Sequence, residues 1–172
     1  MIPWILLGSA QTSRNGSELR LYQRDNEFSI KADSHELMNS QVHGSEDDLA
    51  KLACGKFINH RGVKVLFGGL GLGYTLRAAL DSLKHDAEVV VAEIVPEVLE
   101  WNQKFLGHLA DYPLDDDRVT VRLEDVAQVI RAGRGDYDAI MLDVDNGPQA
   151  MFQEGNDWIY SNDGLQTSFK SF

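Results

Sequence analysis

Cysteine is nearly missing from these 172 residues: Cys54 stands alone, which excludes an internal disulfide. Its place in an apolar, helix-like stretch, Leu49 to Phe57, marks it for core packing rather than reactivity. Positive charge is scarce too. With 16 Lys and Arg against 27 Asp and Glu, the formal net charge of -11 repels a phosphate backbone and offers little of the counterion release on which nucleic-acid affinity depends, so nucleic acid is not expected as a partner. The same charge would favour a cationic substrate. Long hydrophobic runs are absent: Ile2 to Leu7 has no basic flank before it and no small-residue cleavage pattern after it, so neither export nor a membrane span is expected, and a cytoplasmic location is. No internal repeat, low-complexity tract or long linker interrupts the chain. Asp115-Asp116-Asp117 has no histidine or cysteine placed to join it, and so reads as a solvated acidic loop rather than a metal site.

What is there is an ordinary soluble balance, 43% hydrophobic and 25% charged, on about one domain's length. Glu18 to Gln23 and Glu27 to Lys31 alternate polar and apolar residues around a turn-like Arg24-Asp25-Asn26, a β-hairpin pattern. Ser45 followed by Glu46-Asp47-Asp48 predicts a helix start with Ser45 at the cap. From residue 63 strands and helices alternate: strands at Val63–Phe67, Glu88–Glu93, Val119–Leu123 and Tyr137–Leu142, and helices at Tyr74–Leu83, Pro96–Leu106 and Val126–Ala132. A continuously apolar strand such as Val89-Val90-Val91-Ala92 is expected where helices cover both faces of a parallel sheet. The fold class is therefore α/β, a Rossmann-like doubly wound sheet over residues 61–172 with a small β-hairpin and helix over residues 1–60. Trp101 and Phe105 continue the apolar face of Val98 and are expected in the core rather than as a base-stacking platform.

The run Val65-Leu66-Phe67-Gly68-Gly69-Leu70-Gly71-Leu72-Gly73 sets glycines at the carboxyl end of the first parallel strand, where open α/β sheets bind ligands. Glycine there permits positive φ and close backbone approach, and the helix that follows offers unpaired amides to a carboxylate or phosphate. The dinucleotide fingerprint needs a glycine three positions past its second one. Here that place is Leu76 or Tyr74, so the fingerprint is broken in both registers. Glu93, twenty positions beyond Gly73 at the end of the second strand, suits a carboxylate that accepts hydrogen bonds from two ribose hydroxyls.

These residues resemble the polyamine aminopropyltransferases, or spermidine synthases, within the class I S-adenosylmethionine-dependent methyltransferase fold. The resemblance runs from about Leu19 to Leu165 and is clearest in Val65 to Gly73, Val89 to Val98, Asp117-Arg118-Val119 and Tyr137 to Asp143. It implies a cofactor, S-adenosylmethionine or its decarboxylated form, with Gly69, Gly71 and Gly73 under the amino-acid end and Glu93 on the ribose. Asp125 matches the acid that contacts the adenine amino group, although without the resemblance it would pass for a helix N-cap. Gln23 matches the hairpin glutamine that reaches the nucleoside. Beyond the fourth strand, Asp143-Val144-Asp145-Asn146-Gly147-Pro148 replaces the family's Asp-Ser-Ser-Asp-Pro motif, which implies that Asp143, with Asp145 second, orients the amine and helps to remove its proton.

The departures from the pattern keep the reaction open. The family's Tyr-His-Glu run has only Ser34-His35-Glu36 as its nearest equivalent, and His35 with Glu36 is expected as a surface pair. The resemblance thus implies a transferase passing a methyl or aminopropyl group to an amine or other nucleophile, polyamines included, with a non-catalytic nucleoside-binding or assembly module as the alternative. The chain is also expected to be C-terminally shortened, ending before the last strands of the fold. Tyr137–Leu142 then becomes an open sheet edge, for which self-association as a homo-oligomer is expected; a monomer by light scattering would count against it.

Overall fold

The computed structural model describes residues 2–11, 18–132, 137–143 and 161–170. The expected hairpin is there as β2 (Glu18–Arg24) and β3 (Glu27–Ala32), with Leu19 and Leu21 facing Ala32 and Ile30 across the pair. Asp25 takes the left-handed conformation at the turn, φ 54°. Two further strands flank it, β1 (Ile5–Gln11) and β4 (His35–Asn39), giving an antiparallel sheet in the order β1-β2-β3-β4. The apolar start of the chain is thus an edge strand, bulged between Leu6 and Gly8. A Cβ on Gly8 would lie 2.6 Å from the Trp101 indole nitrogen, so only glycine lets this strand rest on that ring. Ser34 lies in the turn before β4 and His35-Glu36 open that strand, where Glu36 accepts a 2.7 Å hydrogen bond from the Ser29 hydroxyl.

α1 (Gly44–Cys54) begins two residues earlier than its sequence suggests, with His43 rather than Ser45 before it. Ser45 is not the cap: its hydroxyl donates to Glu46 Oε2 at 2.6 Å, and no side chain closes the helix start. Cys54 is fully buried, and desolvation pushes its thiol up to about 11, which leaves the reactive thiolate scarce at neutral pH.

The second sheet is parallel, in the order β7-β6-β5-β8. Its strands are β5 (Lys64–Gly68), β6 (Glu88–Ala92), β7 (Val119–Arg122) and β8 (Ala139–Leu142). The helices α2 (Tyr74–Ser82), α3 (Pro96–Trp101) and α4 (Val126–Ala132) connect them, and α5 (Asn162–Lys170) follows. α3 runs into a π-helical turn, Asn102–Leu106. The period-two pleat sorts the apolar strands onto two faces. Val65, Phe67, Val89 and Val91 pack with residues of α1, α2, α3 and the antiparallel sheet, whereas Leu66, Val90 and Ala92 pack with Val126, Ala127, Val129 and Ile130 of α4. Both faces are covered, which is why β6 could be apolar throughout. Trp101 and Phe105 lie in the first of these cores. Among the described strands β8 is an edge, as expected.

The acidic loop is not simply solvated. Arg118 sits under the end of α2, where its Nη1 donates to the carbonyls of Leu80, Leu83 and Lys84 at 3.0, 3.0 and 3.2 Å. Its Nε and Nη2 hold the two oxygens of Asp116 at 2.8 and 2.7 Å. That hydrogen bonding brings the Asp116 carboxyl down to about 2. One guanidinium thereby satisfies carbonyls that a helix end leaves unpaired. Arg118→Ala is expected to cost about 2–3 kcal/mol in urea denaturation at neutral pH, because it strands both the carbonyls and a carboxylate. Asp116→Asn gives the pH sign. A folded pKa below the unfolded value stabilises above the unfolded value and loses that share as pH falls toward about 2. The gap between wild type and Asp116→Asn should therefore close across that acid range.

The antiparallel sheet meets the parallel unit on the side of the glycine turn. Phe28 and His108 make an edge contact at 5.6 Å, the Tyr74 hydroxyl donates to the Ser40 carbonyl at 3.2 Å, and Met38 of β4 lies against Gly71.

Candidate functional site

Reading across the carboxyl edge of the parallel sheet, β7 leads to Asp125, β6 to Glu93, β5 to the glycine turn and β8 to Asp143. Three acids and the turn thus stand at four neighbouring strand ends, the edge where ligands of open α/β sheets bind.

The turn itself requires glycine. Gly69, Gly71 and Gly73 have φ of 92°, 54° and 86°, a region costly for any side chain. Leu70 and Leu72 between them are buried, 5% exposed each, and anchor the turn in the core. Gly73 is the residue before α2, so the turn delivers the chain directly to a helix start and its unpaired amides.

Glu93 is 7% exposed, and each of its oxygens is already engaged by backbone. Oε2 accepts from the Leu70 amide at 3.0 Å and Oε1 from the Val95 amide at 2.8 Å. Burial raises its pKa, while those amides, with that of Ile94, pull the other way. A carboxylate oxygen can accept a second hydrogen bond, so Glu93 can fasten the turn and still face two hydroxyls.

Asp143 continues the ladder, its amide donating to the Gly68 carbonyl at 2.9 Å. Its Oδ2 accepts from the hydroxyl of Thr75, in the first turn of α2, at 2.5 Å. By area the residue is exposed, yet enough protein surrounds the carboxyl to raise its pKa by desolvation, with the charge of Glu46 adding to the rise and the Thr75 hydrogen bond opposing it. Tyr74 next door stacks on His43, ring centroids 4.0 Å apart, and its hydroxyl pKa is raised by burial and by Asp47 and Glu46. The start of α1 thus adds negative charge to the β8 corner of the site.

Asp125 closes α4 as its N-cap, Oδ1 accepting from the Ala127 amide at 2.8 Å. The Gln23 amide donates to the Asp25 carbonyl at 2.9 Å in the hairpin turn. Asp145 lies outside the described residues. Among the described residues no group of His, Cys, Asp or Glu is placed to hold a metal, and no helix is long and apolar enough to cross a membrane. Sequence patterns did not single out Thr75, Tyr74 or Asn102, the last of which donates from Nδ2 to the Gly71 carbonyl at 2.8 Å. Their places one and two positions after the last glycine could have flagged Tyr74 and Thr75; Asn102 carries no such mark.

Among solved structures, the spermidine synthase of Thermotoga maritima superposes with a TM-score of 0.74 at 19% identity, covering 97% of this chain and 53% of that one. A spermidine synthase in complex with the transition-state analogue AdoDATO gives 0.77 at 21% identity, with 97% and 54% covered. A probable spermidine synthase from Corynebacterium glutamicum gives 0.63 at 15%, with 96% and 60% covered. These likenesses are of fold, and the chain spans little more than half the length of those proteins. No curated protein matches the sequence. The family profile of the spermine/spermidine synthase domain, however, matches residues 43–163, a stretch that takes in the glycine turn, Glu93, Asp125 and Asp143, and the chain belongs to that family.

Proposed function

We propose that this chain carries the donor site of an aminopropyltransferase, with decarboxylated S-adenosylmethionine as donor and a polyamine as acceptor. The observation that supports it is acid on both sides of the glycine turn, with Glu46 near enough to Asp143 to raise its pKa. S-adenosylmethionine would bring a further carboxylate into that corner, whereas the decarboxylated donor and an amine acceptor bring ammonium groups.

In this reading residues 61–172 form the nucleotide unit and residues 1–60 an element laid against its ligand edge. Gly69, Gly71 and Gly73 lie under the aliphatic end of the donor, Glu93 accepts from the ribose hydroxyls, and Asp125 takes the adenine amino group. Gln23, whose amide keeps one hydrogen and its oxygen beyond the contact with Asp25, reaches the nucleoside from the hairpin. The bound donor supplies a methylene carbon made electrophilic by its sulfonium. The residues therefore have mainly to orient and deprotonate. Asp143, held by Thr75 and with Asp145 as second candidate, takes the proton of the incoming ammonium. The freed nitrogen lone pair then forms the N–C bond as the C–S bond breaks, its electron pair staying on sulfur and methylthioadenosine leaving.

Calorimetric titration tests this. Decarboxylated S-adenosylmethionine should bind at least about tenfold more tightly than S-adenosylmethionine, the equivalent of one close like-charge contact, and NAD should not bind. A preference for S-adenosylmethionine would replace aminopropyl by methyl transfer. Binding of none of them, methylthioadenosine included, would leave the non-catalytic module.

A further inference from the structure

We propose that Asn102 is a positioning residue of the glycine turn: by holding the Gly71 carbonyl from the side of α3, it keeps the turn in the form that receives the adenosyl ligand. The inference rests on the turn being the ligand site, and it names a residue outside the glycine motif.

Asn102 is 2% exposed and opens the π-helical turn at the end of α3. Its Nδ2 spends both hydrogens on carbonyls, Gly71 at 2.8 Å and Val98 at 3.0 Å. Those two acceptors fix the orientation of the amide, since exchanging its oxygen and nitrogen would set a third carbonyl oxygen against them. The remaining oxygen, Oδ1, is buried without a hydrogen-bond partner and lies 3.4 Å from where a Cβ on Gly73 would stand. An unpaired buried acceptor is destabilising, and an apolar side chain of similar volume would avoid it. The value of an amide at this position therefore lies in its two donors.

The turn needs holding because three of its five residues are glycines, the residue with most conformational freedom to lose. The Gly69 amide is tied to the Ala92 carbonyl at 2.9 Å and the Leu70 amide to Glu93 at 3.0 Å, both on the β6 side. The Gly73 amide bonds back to the Leu70 carbonyl at 3.0 Å, which closes the turn on itself. Asn102 holds the apex between them, through the Gly71 carbonyl. Without it the turn samples other forms, and the apparent dissociation constant rises as the inverse of the competent fraction. One hydrogen bond's worth of bias corresponds to a rise of about five- to tenfold.

The test titrates the full chain with 5′-methylthioadenosine and records thermal melts, comparing wild type, Asn102→Ser, Asn102→Asp and Glu93→Ala. A serine hydroxyl can reach back to the Val98 carbonyl of its own helix but not across to Gly71, so Asn102→Ser removes the clasp and spares the helix. Its dissociation constant should rise about five- to tenfold with little change in melting temperature. Asn102→Asp should do worse, because a carboxylate would face both carbonyls. Wild-type affinity in Asn102→Ser, with binding abolished in Glu93→Ala, overturns the inference and keeps the ligand site. A lowered melting temperature with unchanged affinity, or failure of both Asn102 variants to fold, makes the residue structural and also overturns it. No binding by wild type removes the site itself.

Discussion

Glu93→Gln is expected to weaken binding of 5′-methylthioadenosine on the order of 100-fold. The substitution keeps shape and volume but puts an NH2 where an oxygen accepts from Leu70 or Val95. One backbone amide then meets a donor, and one of the two ribose acceptors is lost. Two hydrogen bonds to a charged group, at about 1.5 kcal/mol each, amount to about 3 kcal/mol and hence that factor. The pH dependence carries the sign. Because burial raises the Glu93 pKa above 4.5, affinity should fall with acidification through that raised value, and the glutamine variant should show no such limb. Stability runs the opposite way. A folded pKa above the unfolded one makes the group's stabilising share complete below about 4.5 and lost as pH rises through the folded value. Glu93→Gln binding as tightly as wild type would remove Glu93 from the nucleoside site.

Asp143→Asn is expected to lower aminopropyl turnover by about 100-fold or more, a far larger effect than the loss of one charge has on donor affinity. The asparagine carbonyl can still accept from Thr75, so the local fold has little reason to move. What disappears is a proton acceptor. In wild type the acid limb of the rate profile should fall above the ordinary carboxylate range, since desolvation and Glu46 raise the Asp143 pKa. In the variant that limb should be gone. A wild-type rate in Asp143→Asn would pass the role to Asp145.

Residues whose environment is repeated along the chain were the legible ones. β6 could be read as doubly covered because Val89 and Val91 meet one core and Val90 the other, a distinction that any parallel strand between helix layers shares. β1 was not legible: its place depends on Gly8 lying on Trp101, ninety-three positions away. Asp116 read as solvated because acids before a strand usually are, while its partner Arg118 is turned inward by the carbonyls at the end of α2. Asp125 had two readings, and the helix-capping one is visible in its bond to Ala127. Asn102 was hidden by its setting, a polar residue on an apolar helix face whose purpose appears only once Gly71 is beside it.

The leucines that alternate with the glycines have a bearing on how such a site can change over generations. Leu70 and Leu72 are committed to the core, and the three glycines between and around them sit at φ angles that few side chains adopt. The turn is therefore mutationally silent as far as ligand choice is concerned: nearly every replacement there breaks it before it can retune it. Divergence toward a new donor or acceptor has to be written at the neighbouring strand ends and on α1, where Glu46, Asp125 and Asp143 can be exchanged without disturbing the glycine path.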